Sequence, residues 1–219
     1  MAASPAPFAT PLIVTTPVVR ARDRAQEAGT ASDEQLFEQA SGGDRDALGT
    51  LITRYEKMLF GLLTRLTAGD SHRADDLFQE TFLHAMRAAG TFNRQKQFKP
   101  WITAIAVNLV RDDARKRKVR GEITLDGENE GHGRRPVPEP VSEEENPGVS
   151  AERKDEQARV RQALERLTSL EREVVLLHFF NSMTLAETAE SLDVPLGTVK
   201  SRLHAALTRL SGMLPRPSP

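Results

Sequence analysis

Gly197-Thr198-Val199-Lys200-Ser201-Arg202-Leu203-His204 reads as the start of a helix built to enter a DNA groove. On a 3.6-residue wheel, Leu196, Val199, Leu203, Ala206, Leu207 and Leu210 gather on one side, and Gly197, Thr198, Ser201, His204, Ala205 and Thr208 fall opposite. Lys200, Arg202 and Arg209 flank the second face. Small and hydrogen-bonding side chains with cations at their margins suit close approach to a phosphate-lined groove. An ordinary solvated helix would carry more Glu and Lys. Just upstream, Thr184 is placed to cap LAETAESL, and Asp193-Val194-Pro195 turns the chain. The pair therefore reads as a helix-turn-helix, with Ala189 small at the crossing and Val194 and Val199 buried.

Working outward, VRQALERL and SLEREVVLLHFF are two further helices, with Val160, Ala163, Leu164, Leu167, Val174, Val175, Leu177 and Phe179 as core and His178 in a structural place. Before them, residues 121–157 are rich in Gly, Pro and Glu and poor in apolar side chains, the composition of a disordered linker. Their root-mean-square span is about 30–36 Å, and like charge favours extension. The net charge of the 219-residue chain, -1, hides a pattern. Residues 33–120 carry 15 basic and 12 acidic groups, 121–157 carry 4 and 11, and 158–219 carry 8 and 6, so two mildly basic blocks flank an acidic connector.

The first block opens with Ser32 and Gln35 at capping-box spacing, and Gly42-Gly43 closes that short helix. A second helix covers 45–66 with Leu48, Leu51, Ile52, Tyr55, Leu59, Leu62 and Leu63 inward. A third runs from the Gly69-Asp70-Ser71 turn to about Ala89. It packs Leu77, Phe78, Thr81, Phe82 and Ala85, and it leaves Asp76, Gln79, Glu80, Leu83 and Arg87 on a polar outer side. A polar loop from Thr91 to Lys99 leads to a fourth helix with Pro100 in its first turn. There Trp101, Ala104, Asn108, Arg111 and Arg115 share one face, an aromatic beside an amide and guanidiniums, which is what single-stranded nucleic acid asks for. Lys116, Arg117, Lys118 and Arg120 add a dense basic end. Four phosphate contacts there would cost about a hundredfold in affinity between 50 and 200 mM salt.

Other classes are excluded or disfavoured. The chain has no cysteine, so it contains neither disulfides nor cysteine-based zinc sites. No apolar run reaches the ~18 residues that span a bilayer, and the N-terminus lacks a signal-peptide layout, so no membrane insertion is expected and the cytoplasm is the expected compartment. Asp75, Asp76 and Glu80 could serve a helical hydrolase or nuclease, but no His-rich constellation, phosphate loop or nucleophile motif accompanies them. No catalytic residue, metal, cofactor or small-molecule substrate is expected. A stand-alone helix-turn-helix regulator would explain 158–214 but would leave the third-helix face and the Trp101 side without a task.

With both blocks in view, ADDLFQETFLHAMRA, PWITAIAVNLVRDDARKRKVR and LAETAESLDVPLGTVKSRLHAALTRL stand in the order and separation of bacterial RNA polymerase sigma factors, and the chain resembles their extracytoplasmic-function (ECF) group. The resemblance implies an all-α fold of two small helical domains joined by a flexible acidic linker. These are a tail at 1–31, a polymerase and minus-ten domain at 32–120, a linker at 121–157, a minus-thirty-five domain at 158–214 and a tail at 215–219. It implies core RNA polymerase, promoter DNA and an anti-sigma factor as partners. Residue by residue, Asp76, Leu77, Gln79, Glu80 and Phe82 match the clamp-binding motif. Phe92, Asn93, Arg94, Trp101, Asn108, Arg111, Arg115 and Lys116 fall on the minus-ten side, and Phe92 to Lys99 corresponds to the captured-base loop. Pro195, Gly197, Thr198, Lys200, Ser201, Arg202 and His204 match the minus-thirty-five helix. Ala205 departs from the Arg often found there, and Thr188 from the usual Ile.

Overall fold

Side-chain caps set the helix starts of the first block. Ser32 Oγ accepts the Gln35 N–H at 3.2 Å, and Gln35 Oε1 accepts the Ser32 N–H at 2.9 Å, which opens α1 (Asp33–Ser41). Gly43, at φ +100°, turns the chain where an L side chain would be strained. Asp44 Oδ1 accepts the N–H groups of Asp46 and Ala47 and starts α2 (Arg45–Leu66). Asp70 caps α3 (Ser71–Arg87), a short 3-10 turn covers Ala89–Thr91, and α4 (Phe98–Val119) follows a six-residue loop. This computed structural model describes residues 31–121 and 158–213. The expected tails and the acidic linker lie outside the described residues, apart from single residues at their edges.

In the second block, α5 is described over 158–165. Capping boxes at Thr168 with Glu171 and at Thr184 with Glu187 open α6 (Ser169–Val175) and α7 (Leu185–Leu192). Asp193, in the left-handed region at φ 51°, reverses the chain into α8 (Leu196–Ser211). All the regular structure among the described residues is helical, as expected.

Leu51, Leu59, Leu62 and Leu63 of α2 are fully buried with Leu36, Phe98, Ile102 and Ala106, forming the first core. Truncating any of the large ones to Ala should cost about 2–5 kcal/mol. Three expected core positions differ. Between α6 and α7 the chain makes a π-turn, Leu176–Phe180, with the Asn181 N–H bonded to the Leu176 carbonyl at 3.0 Å. The extra residue in that turn breaks the 3.6-residue register. Leu176 therefore goes inward, and Phe179, expected in the core, is exposed. On α8 only Val199 and Ala206 are buried, with Leu203 and Leu210 packed at their margin, while Leu196 and Leu207 are exposed. The short α6 and α7 cover a narrower stripe than the wheel offers. Thr188 is fully buried without penalty, because its Oγ donates to the Thr184 carbonyl at 2.9 Å.

The two blocks pack face to face. Leu62 and Val107 from the first block join Val174, Leu176, Leu177, Met183, Leu192 and Val199 in one apolar cluster. Polar pairs frame it. Ser191 Oγ donates to the Pro100 carbonyl at 2.9 Å, Lys99 Nζ to the Asn181 carbonyl at 2.7 Å, and Lys96 pairs with Glu190 at 2.7 Å. Arg65 lies 4.8 Å over the Phe180 ring.

Candidate polymerase and promoter interfaces

The outer face of α3 carries the first group of expected residues. Asp76, Gln79 and Glu80 are exposed, with Gln79 Nε2 donating to Asp75 Oδ2 at 3.1 Å, so a carboxylate and amide surface is held toward solvent. Leu77 and Phe82, from the same motif, are buried and anchor the helix from behind. Beside this face a groove of about 780 Å³ separates α3 from α4, lined by Asp76, Glu80, His84, Asp112, Arg115 and Lys116 among others. The ion pair between Arg73 and Asp113 ties the two helices at its floor.

The second group sits where the loop enters α4. Trp101 is half-buried against a stack of rings, 5.1 Å from Phe37 and 4.9 Å from Phe92 between centroids, with Phe98 closing the cluster. Phe98 is wholly buried and Lys99 is helical, so the loop proper is 92–97, shorter than the expected Thr91 to Lys99. Asn93 Oδ1 accepts the Gln95 N–H at 2.9 Å and shapes that loop, and the exposed Arg94 pairs with Glu38 at 2.5 Å. Along α4, Asn108 and Lys116 are exposed, and Arg115 pairs with Asp112 at 2.8 Å.

Arg111 is committed elsewhere. Its Nε and Nη2 bind the two carboxylate oxygens of Glu173 at 3.0 and 2.5 Å, a fork-to-fork pair across the block interface. The hydrogen bond to Glu173, outweighing burial, raises the guanidinium pKa above its ordinary value, so the charge is secure. Nothing in the local sequence signals this partner, since Glu173 reads as an ordinary surface position of SLEREVV.

The third group lines α8. Pro195 precedes the helix and offers no side-chain cap, its carbonyl accepting the N–H of Thr198 at 2.8 Å. Gly197, Lys200, Ser201 and His204 are exposed on one side, Thr198 is half-buried, and Ser201 Oγ returns to the Thr198 carbonyl at 3.0 Å. Arg202 is half-buried, with Nη1 shielded and unbonded. Among the described residues no helix is long and apolar enough to cross a membrane, and no group of three or more acidic or histidine side chains is arranged to hold a metal ion.

A polar helix face, an aromatic-and-amide helix and a helix-turn-helix in one chain are the parts of a transcription initiation factor, and the comparisons agree. The Sigma-70 region 2 family model matches residues 51–120, and Sigma-70, region 4 matches 157–210. The ECF RNA polymerase sigma factor BldN of Streptomyces coelicolor is 31% identical over 195 residues, covering 89% of this chain and 70% of that protein. SigW of Bacillus subtilis is 30% identical over 172 residues, covering 78% and 90%. Among solved structures, CnrH in complex with the cytosolic domain of CnrY superposes with a TM-score of 0.61 at 26% identity, covering 86% of this chain and all of that one. The chain belongs to the ECF group of RNA polymerase sigma factors. It recruits core polymerase to specific promoters and promotes their melting, the regulatory task of a transcription initiation factor.

Proposed function

We propose that the three faces divide that work among them. Asp76, Gln79 and Glu80 meet the polymerase clamp, with Leu77 and Phe82 holding their helix. Phe92, Asn93, Arg94, Trp101 and Asn108 receive the opened minus-ten strand, and Arg111, Arg115 and Lys116 follow its phosphates. Pro195, Gly197, Thr198, Lys200, Ser201, Arg202 and His204 read the minus-thirty-five element. The observation that carries the reading is the ring cluster. Trp101 is half-buried, packed against Phe37 and Phe92 and two turns from an exposed Asn108 on the same helix, which suits stacking on an unpaired base followed by hydrogen bonding to its edge.

The closed packing of the two blocks fits a resting form. Arg111 cannot hold Glu173 and a phosphate at once, so engagement of DNA separates the blocks, and the linker lets each reader gain effective concentration once polymerase fixes their spacing. CnrH was solved with the cytosolic domain of CnrY, and the shared fold supports an anti-sigma factor as the partner that keeps this chain closed. The site of action is the cytoplasm. A stand-alone regulator is not favoured, because it leaves the region 2 match without a role.

The test is transcription reconstituted with core polymerase and promoter fragments. Reversing the charge at both Asp76 and Glu80 should abolish initiated transcripts while leaving the fold intact, and unchanged transcription would sink the clamp assignment. Trp101→Ala should leave recruitment in place and remove permanganate-detected melting. Intact melting in that variant would remove Trp101 from the proposal.

A further inference from the structure

The minus-ten side does not hold its own shape. The N-terminus of α4, where Trp101 sits, follows Gln97, whose side chain makes no cap hydrogen bond. The Phe98 N–H instead donates to Glu34 Oε1 at 2.8 Å, a carboxylate supplied by α1 from 64 positions upstream. Phe37, one helical turn further along α1 and 3% exposed, is the ring shared by the cluster. Its centroid lies 4.8 Å from Phe98, 5.1 Å from Trp101 and 5.4 Å from Phe92, the last at an interplanar angle of 89°. Glu38, the next residue, holds Arg94 in the loop. So Phe92, Arg94 and Trp101 each have a direct partner in α1. The Phe37 ring itself cannot reach DNA, and α1 ends before residue 51, where the region 2 match begins.

We infer that Glu34 and Phe37 of α1 are positioning residues for strand opening, fixing the plane of Trp101 and the exit of the 92–97 loop so that the DNA-facing groups are preorganised. The inference rests on the proposal that Trp101 and this loop meet the opened strand. Its physical basis is that a half-exposed indole supported on one side only by rings keeps a single orientation as long as those rings stay in place. Edge and tilted ring contacts favour particular geometries over the mere filling of volume. Preorganised groups lose less freedom on meeting their ligand. Phe37 therefore acts on melting without touching the promoter, and its ring contacts all lie within the Phe92, Phe98 and Trp101 cluster.

The experiment compares Phe37→Leu, Phe37→Ala, Glu34→Ala and Glu34→Gln in the full chain with core polymerase. Four readouts are used: thermal unfolding, promoter binding, permanganate melting on duplex and on pre-opened promoters, and emission of Trp101, the only tryptophan in the chain. Phe37→Leu keeps apolar volume but no ring. It should fold, bind core and promoter within about twofold of the parent, and open duplex promoter roughly tenfold more slowly, the size expected from losing the two of its three ring contacts that reach Phe92 and Trp101. A pre-opened promoter should recover most of that loss, and Trp101 anisotropy should fall. Glu34→Ala should act in the same direction, and Glu34→Gln, whose amide oxygen can still accept from Phe98, should rescue it. If Phe37→Ala fails to fold, the Leu and Glu34 variants carry the test alone. Normal opening in Phe37→Leu and Glu34→Ala, with opening lost in Trp101→Ala, would overturn the positioning role and leave the proposed function standing. Normal opening in Trp101→Ala would overturn the reading on which it rests. Equal losses in recruitment and opening would make α1 a general stabiliser and also overturn the inference.

Discussion

Removing Arg111 should loosen the closed packing far more than removing its partner, although the two share one ion pair. The Glu173 side chain is 6% exposed and that of Arg111 is 30% exposed. Arg111→Ala therefore strands a carboxylate in the interface, whereas Glu173→Ala leaves a guanidinium that reaches water and has Asn108 Oδ1 within 3.4 Å. Breaking a buried pair from one side costs about 3–5 kcal/mol, and the part-exposure of Arg111 places this case near or below the lower end, about 2–3 kcal/mol. At 1.4 kcal/mol per tenfold, the closed population should fall roughly 30- to 150-fold relative to the open one. Glu173→Ala should cost about 1 kcal/mol, roughly fivefold. The chain has no cysteine, so dyes can be placed by Lys57→Cys on α2 and Thr208→Cys on α8, both exposed, and energy transfer followed through a urea titration. The separation midpoint should drop clearly for Arg111→Ala, slightly for Glu173→Ala, and recover in part when Arg111→Glu is combined with Glu173→Arg. Identical midpoints for the two alanine variants, or the reverse order, would refute the desolvation argument.

Tyr55 gives a pH signature. Burial first, and then its hydrogen bond to Asp33 at 2.6 Å, push its phenol well above the ordinary range. The neutral phenol is the form that the fold favours, so its contribution is complete below the unfolded value of about 10 and is lost as pH rises beyond it. Tyr55 is the only tyrosine. Phenolate absorbance should therefore appear together with loss of helical circular dichroism, and a phenolate signal in the folded protein would contradict the burial. On the α4 basic end, promoter affinity should fall about a hundredfold between 50 and 200 mM salt if four cations meet phosphates. Lys116→Ala should then lower the salt slope by about one, measured by fluorescence anisotropy on a fork-junction fragment, and an unchanged slope would remove Lys116 from the phosphate set.

The helices were legible because their signals are local. The boundaries of α2 follow from Asp44 and the heptad-like leucines, and the polar face of α3 follows from the spacing of Asp76, Gln79 and Glu80. Where one extra residue breaks the period, the wheel fails, as at the π-turn that exchanges Leu176 for Phe179. Contacts that join distant segments were not legible at all. Glu34 to Phe98 spans 64 positions, Arg111 to Glu173 spans 62, and Ser191 to Pro100 spans 91. A carboxylate at position 34 or 173 looks like any solvated Glu until its partner arrives, because neither periodicity nor capping grammar encodes a pairing between segments distant in sequence. The resemblance supplied the candidate functional residues, but it placed Arg111 on DNA without revealing that the residue holds Glu173 in this structure.

The proposed double employment of Arg111 would make the closed form firm yet reversible. An Arg fork matches a carboxylate and a phosphate with the same two-point geometry, so one side chain can exchange partners without refolding the helix that carries it. Opening costs the Glu173 contact, together with the apolar cluster in which Leu62 and Val107 of the first block meet Leu177 and Val199 of the second. A single phosphate cannot offset that burial. On the proposed reading, polymerase and both promoter elements engage together, each raising the effective concentration of the other, before separation becomes favourable. Free chain on isolated DNA lacks the clamp term and should stay closed. On the proposed reading, the interface between the blocks therefore adds a condition on promoter use that neither candidate DNA face imposes alone.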